Sequence, residues 1–161
     1  MDLLKYPATA IISPLSVDRF FSGKIIFGQE NYHRIQTNEV VATLKPEMGE
    51  NTLTITATNK ENLESVYLKI FKLKGPGTYF IPGDGKIENI GNLIKNLENY
   101  SDKNNFFEST LPNKEGVQNG VGRVNITLVT EKEIEGELIL IGNNSKGDQA
   151  VLESAKFKIH L

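Results

Sequence analysis

A two-residue period runs through four stretches of this chain and restricts them to strands. Leu53, Ile55 and Ala57 alternate with Thr52, Thr54, Thr56 and Thr58. Val66, Leu68 and Ile70 alternate with Tyr67, Lys69 and Phe71. Val124, Ile126 and Leu128 alternate with Asn125 and Thr127. Ile134, Gly136, Leu138 and Leu140 share a parity opposite Glu135 and Glu137. Successive side chains on a strand point to opposite faces, so each set covers one face. The pattern predicts an antiparallel sheet with one face on a core and one toward water. Leu53, Ile55, Val66, Leu68, Ile70, Val124, Ile126, Leu138, Leu140, Phe157 and Ile159 are the predicted core.

Turn residues punctuate the rest. Strands are expected at Phe20 to Phe27, within Tyr32 to Leu44 with a bend at Thr37-Asn38, and from Thr78 to Ile81 after the Gly75-Pro76-Gly77 turn. The last three, Gly122 to Val129, Ile134 to Ile141 and Val151 to Ile159, read as a meander because their connections are short. Residues 82–119 are less regular. Ile87, Ile90, Ile94 and Leu97 have helical spacing and predict a short helix, which Gly91 weakens by roughly 0.5–1 kcal/mol. Tyr100 and Phe106-Phe107 flank a predicted hairpin tip at Asp102 to Asn105. The fold class is therefore all-β: an antiparallel β-sandwich of about nine strands with a short helix in an insertion. A lipocalin-like β-barrel is the alternative. Residues 1–18 read as an N-terminal arm and 19–161 as a single domain.

The chain has 161 residues, no cysteine and a net charge of −2 spread evenly along it. Without cysteine there are no disulfides, thiol nucleophiles or thiolate metal sites. Without a basic stripe, nucleic acid is not an expected partner. No apolar run approaches the ~20 residues of a membrane span. Asp2, Pro7 and Pro14 do not read as an intact signal peptide.

The candidate chemistry is sparse. His33 and His160 are the two histidines and lie far apart in sequence, with no carboxylate at ligand spacing, so surface histidine is the expected role. Glu133, Glu135 and Glu137 lie on one strand face, neighbours ~6.5–7 Å apart. That overlaps the ~6.5–9.5 Å carboxylate separation of inverting glycosidases. A solvated outer face opposite Ile134, Leu138 and Leu140 accounts for them fully, and charges there discourage edge-to-edge pairing. Gly83-Asp84-Gly85 and Gly120-Val121-Gly122 read as turns, since no phosphate-loop or calcium-loop pattern surrounds them. No Gly-x-Ser-x-Gly elbow is present. No catalytic residue, metal ligand or cofactor site is assigned, and a non-enzymatic protein is expected. The absence of tryptophan weakens a stacking platform for sugars.

Several motifs occur in a fixed order: Phe21 to Ile25, Val40 to Leu44, Asn51 to Ala57, Gly77-Thr78-Tyr79, Gly122 to Thr127, Ile134 to Leu138 and Val151 to Ile159. This order resembles small secreted or lipid-anchored all-β domains of unknown function from Bacteroidetes-type bacteria. Residues 82–97 look like an insertion relative to that pattern, and Gly136-Glu137-Leu138 stands where Gly-Thr-Phe is usual. The resemblance implies export to the cell envelope, as an outer-membrane-anchored lipoprotein or a secreted protein. It supplies no catalytic residues.

Two functional readings follow: an envelope binding or structural module whose partner is another envelope protein or a glycan, and a carrier holding an apolar ligand inside a barrel. A glycan-acting hydrolase ranks below both. The strand Ser65 to Leu73 bears on the first reading. Under strict alternation its outer face carries Tyr67, Phe71 and Leu73, interrupted only by Lys69. Either the arm around Ala10 to Ile12 or the segment Ile87 to Leu97 covers that face, or Tyr67, Lys69 and Phe71 form a partner surface.

Overall fold

The computed structural model describes residues 18–47, 49–83, 86–111, 113–116 and 121–161. The predicted arm up to residue 17, together with Asp84, Gly85 and Gly120, lies outside them. The fold is all-β. Among the described residues eleven strands run in chain order: β1 Phe20–Phe27, β2 His33–Thr37, β3 Val40–Glu47, β4 Glu50–Asn59, β5 Glu64–Leu73, β6 Gly77–Ile81, β7 Ile90–Ile94, β8 Phe106–Glu108, β9 Gly122–Val129, β10 Glu133–Asn143 and β11 Gln149–His160. They form one antiparallel sheet in the order β2-β1-β11-β10-β8-β7-β5-β4-β3. β9 pairs with the first part of β10 and carries β6 on its other side. The last three strands form the expected meander.

The sheet curls until β2 meets the end of the β4–β5 hairpin, a nearly closed form that both a flattened barrel and a sandwich share. Side chains make much of that seam. Thr37 Oγ1 donates to the Thr58 carbonyl at 2.6 Å, and Asn59 Nδ2 donates to the Gln36 carbonyl at 3.0 Å. The Thr58 N–H donates to the Glu39 carbonyl at 2.9 Å.

All eleven predicted core residues are buried in one apolar cluster. Phe21, Ile25, Phe27, Ile35 and Leu93 join them, each at most 1% exposed. The interior is filled to the point that some strands carry glycine where any side chain would collide. A Cβ on Gly91 would lie 2.6 Å from Leu140 Cδ1. A Cβ on Gly136 would lie 2.6 Å from the Asn125 carbonyl oxygen and 2.8 Å from Phe157 Cζ.

The predicted helix is corrected to a strand. Residues 90–94 pair with β5, and Leu93 faces the core while Ile90 and Ile94 are half-buried outside. The helical spacing of the isoleucines is coincidental. Gly91 must sit against Leu140, and the β-branched isoleucines suit a pleated surface. The β7–β8 pair is a hairpin whose connection holds two short 3-10 turns, Leu97–Asn99 and Lys103–Asn105. The predicted tip at 102–105 is the second of these, with Asp102 accepting from the Asn104 N–H.

Strict alternation fails at three bulges. Lys72, at φ +58°, is an extra residue in β5, since Asn51 and Leu53 face Leu73 and Ile70. That turns Leu73 into the core instead of onto the Tyr67 face. Ser154, at φ +54°, does the same in β11, opposite Leu138 and Leu140. A third extra residue lies in β9 near Thr127, so Val129 rather than Leu128 packs on the core. Each extra residue bends and twists its strand, which a closing sheet requires.

The β5–β6 gap is bridged by one side chain. Asn89 Oδ1 accepts from the Phe71 N–H at 2.8 Å, and its Nδ2 donates to the Phe80 carbonyl at 2.8 Å. Asn89→Ala is expected to cost about 1–3 kcal/mol, because both backbone groups lose their partner. Urea unfolding checks the cost, and loss of hydrogen-exchange protection at the Phe71 amide localises it. The β5–β6 turn is pinned by Tyr79, whose hydroxyl donates to the Gly75 carbonyl at 2.6 Å and accepts from the Lys74 N–H. Tyr79 packs on the core beside its turn, as expected. Gly75 and Gly77 have φ of +122° and +151°. Gly77→Ala is expected to lose about 1–3 kcal/mol from backbone strain, and a neutral melting curve would contradict it.

Candidate functional site

Two places carry more than packing. The first is the outer face of β5. Tyr67 stands between Thr56 of β4 and Asn92 of β7, and Lys69 between Thr54 and Ile90. One strand further out, Val41 faces Thr56 and Thr43 faces Thr54. Val41 is 63% exposed, and Tyr67, Lys69 and Phe71 are half-buried. The Lys69 ammonium lies 5.0 Å from the Phe71 ring centroid, so the chain covers that aromatic with its own cation. Within the segment Ile87 to Leu97, residues 90–94 extend the sheet beside β5 as β7 instead of crossing over its outer face. The apolar face is smaller than the sequence implies, because Leu73 is inside. What remains is a threonine-rich surface centred on Tyr67.

The second place is the pair His33 and Glu64, the opening residues of β2 and β5. His33 Nε2 and Glu64 Oε2 are 2.6 Å apart. The Glu64 side chain is 7% exposed, that of His33 35%. The imidazole also lies against the Phe27 ring, which in turn meets Phe107. Glu64 Oε1 is buried with no hydrogen-bond partner. Burial pushes the Glu64 carboxyl above its ordinary range, reinforced by nearby Glu30 and opposed by the hydrogen bond and charge of His33 and by the Asn62 side chain. Glu30 is itself held by Lys95. His33 is therefore not the bare surface histidine of the expectation. The signal was in the parity: His33 shares the core side of its strand with Ile35, and Glu64 shares it with Val66 and Leu68. A carboxylate on core parity needs a buried partner.

The other candidates disperse. His33 aligns through Ile25 with Leu152, far along β11 from His160, so the two histidines do not meet. Among the described residues no group of three or more histidine, aspartate or glutamate side chains could hold a metal ion. Glu133, Glu135 and Glu137 face His160, Lys158 and Lys156 across the β10–β11 ladder. That is a cross-strand charge pattern, which stabilises a sheet face. A depression among the described residues, lined by Arg123, Glu137, Glu153 and Lys156, mixes both signs of charge around the Ser154 bulge. No described helix is long and apolar enough to cross a membrane. No known protein family, curated protein or solved structure matches the chain.

Proposed function

We propose that this chain is a non-enzymatic, exported module of a bacterial cell envelope, acting by binding or as a structural part. Its contact surface is the outer face around Tyr67, Lys69 and Phe71, and its partner is another envelope protein or a glycan. The carrying observation is the tight packing around Gly91 and Gly136, where a methyl group would lie within 3 Å of Leu140, Asn125 and Phe157, so an apolar ligand finds no berth beside these two strands. That weighs against the carrier reading, which needs an open barrel. The motif order from Phe21 to Ile159 supports the envelope assignment.

Two measurements test it. Titration with a fluorescent fatty acid is expected to show no saturable one-to-one binding; stoichiometric binding returns the carrier reading. A photo-crosslinking amino acid at position 67, in cells making the native protein, is expected to capture an envelope component. Recovery of the protein in the cytosolic fraction, without a crosslink, overturns the proposal.

A further inference from the structure

The seam between β2 and the β4–β5 hairpin is held by groups of two kinds. The hydroxyl, amide and backbone bonds around Thr37, Asn59 and Thr58 do not titrate. The exposed ion pair Lys60–Glu39, 3.3 Å long, is screened by solvent. His33–Glu64 differs, because it titrates and one partner is buried.

We propose that His33 and Glu64 form a proton-operated latch on this seam, tight while the pair holds at least one proton beyond a neutral imidazole and a bare carboxylate, and loosened when the last of these leaves to bulk water. With the proton the pair is neutral overall, as imidazolium with carboxylate or imidazole with carboxylic acid. Without it a neutral imidazole still donates one hydrogen bond, but a full negative charge is buried. Its second oxygen, Oε1, then has no donor. The charged and polar groups that act on Glu64 are His33 of β2 and Asn62 of the β4–β5 turn, which favour the ionised carboxylate, and Glu30 of the β1–β2 turn. Glu30 opposes ionisation, and Lys95 after β7 holds Glu30 in place. Loosening frees the hairpin end from β2, an edge strand that pairs only with β1 among the described residues.

The sign follows from linkage. A carboxyl harder to ionise when folded contributes stability that is complete below the ordinary glutamate value of 4.5 and is lost as pH rises through the folded value. The seam therefore tightens in mild acid and loosens toward neutral and alkaline pH.

The test is native-state hydrogen exchange of the β2 and β4–β5 turn amides from about pH 4.5 to pH 8, corrected for intrinsic exchange. In the wild type, seam opening is expected to rise several-fold across that range. In Glu64→Gln, which keeps the shape and removes the buried carboxyl while leaving the imidazole in place, most of that rise is expected to be lost. Equal pH profiles in both overturn the latch. If that variant does not fold, the carboxyl carbon shift of Glu64 in the wild type decides: titration at or below the ordinary glutamate value overturns it, and titration above supports it. His33→Gln, which leaves the buried carboxyl without its imidazole, is expected to steepen the loss of protection with pH; an unchanged profile also counts against the latch.

Discussion

Gly136→Ala is expected to destabilise the protein by about 3 kcal/mol or more, toward the upper end of overpacking costs. The reason is what the new methyl would meet. The Asn125 carbonyl oxygen, 2.6 Å away, is backbone of the paired strand β9 and cannot swing aside. The Phe157 ring on the other side is 2% exposed and locked in the core. Relief requires β9 and β10 to separate where the ladder is already irregular. Urea denaturation should show a lower midpoint, whereas Glu137→Ala, one residue on and exposed, should stay within about 0.5 kcal/mol of wild type. Equal stability of the two variants would mean that β9 and β10 are not this close.

Truncation at the centre should cost as much by the opposite route. Leu68→Ala and Ile126→Ala are each expected to lose about 2–5 kcal/mol, from lost apolar burial and the cavity left behind. Leu68 is fully buried and Ile126 is 1% exposed, on strands from different parts of the sheet. Against a typical total stability of about 5–15 kcal/mol, either change should shift the melting temperature by many degrees. If neither does, these residues do not face the interior and the register of β5 and β9 is wrong.

Where each strand lies was legible because its alternation and its turn residues agree. Phe20 to Phe27 was bounded correctly, and Thr37-Asn38 marks the corner between β2 and β3. What alternation could not reveal is where it stops. Nothing in Phe71-Lys72-Leu73 announces that Lys72 takes a left-handed backbone and sends Leu73 inward, since that conformation is set by the neighbouring strand. β7 was misread for a related reason: five residues hold too few turns of either period to discriminate, and the pairing edge of β5 decided the outcome. Of the candidate site, Tyr67, Lys69 and Phe71 lie half-buried on the outer face of β5, where their parity puts them. Glu64 was overlooked although its parity placed it with Val66, because a polar residue at a strand start reads by default as part of the turn.

The Ser154 bulge also governs how this sequence tolerates changes of length. Ordinarily, removing one residue from a strand inverts everything downstream, exchanging buried and wetted side chains. In β11 the inversion is already built in: Leu152 points inward, and so do Ala155, Phe157 and Ile159. A chain lacking Ser154 would keep every one of those residues in phase, whereas a chain lacking Lys158 would swing His160 toward the core in place of Ile159. The same holds for Lys72 between Ile70 and Leu73. Deletions at these two positions should leave the pairing intact and remove only the local bend, so they are the points where the sheet can be shortened without being turned inside out.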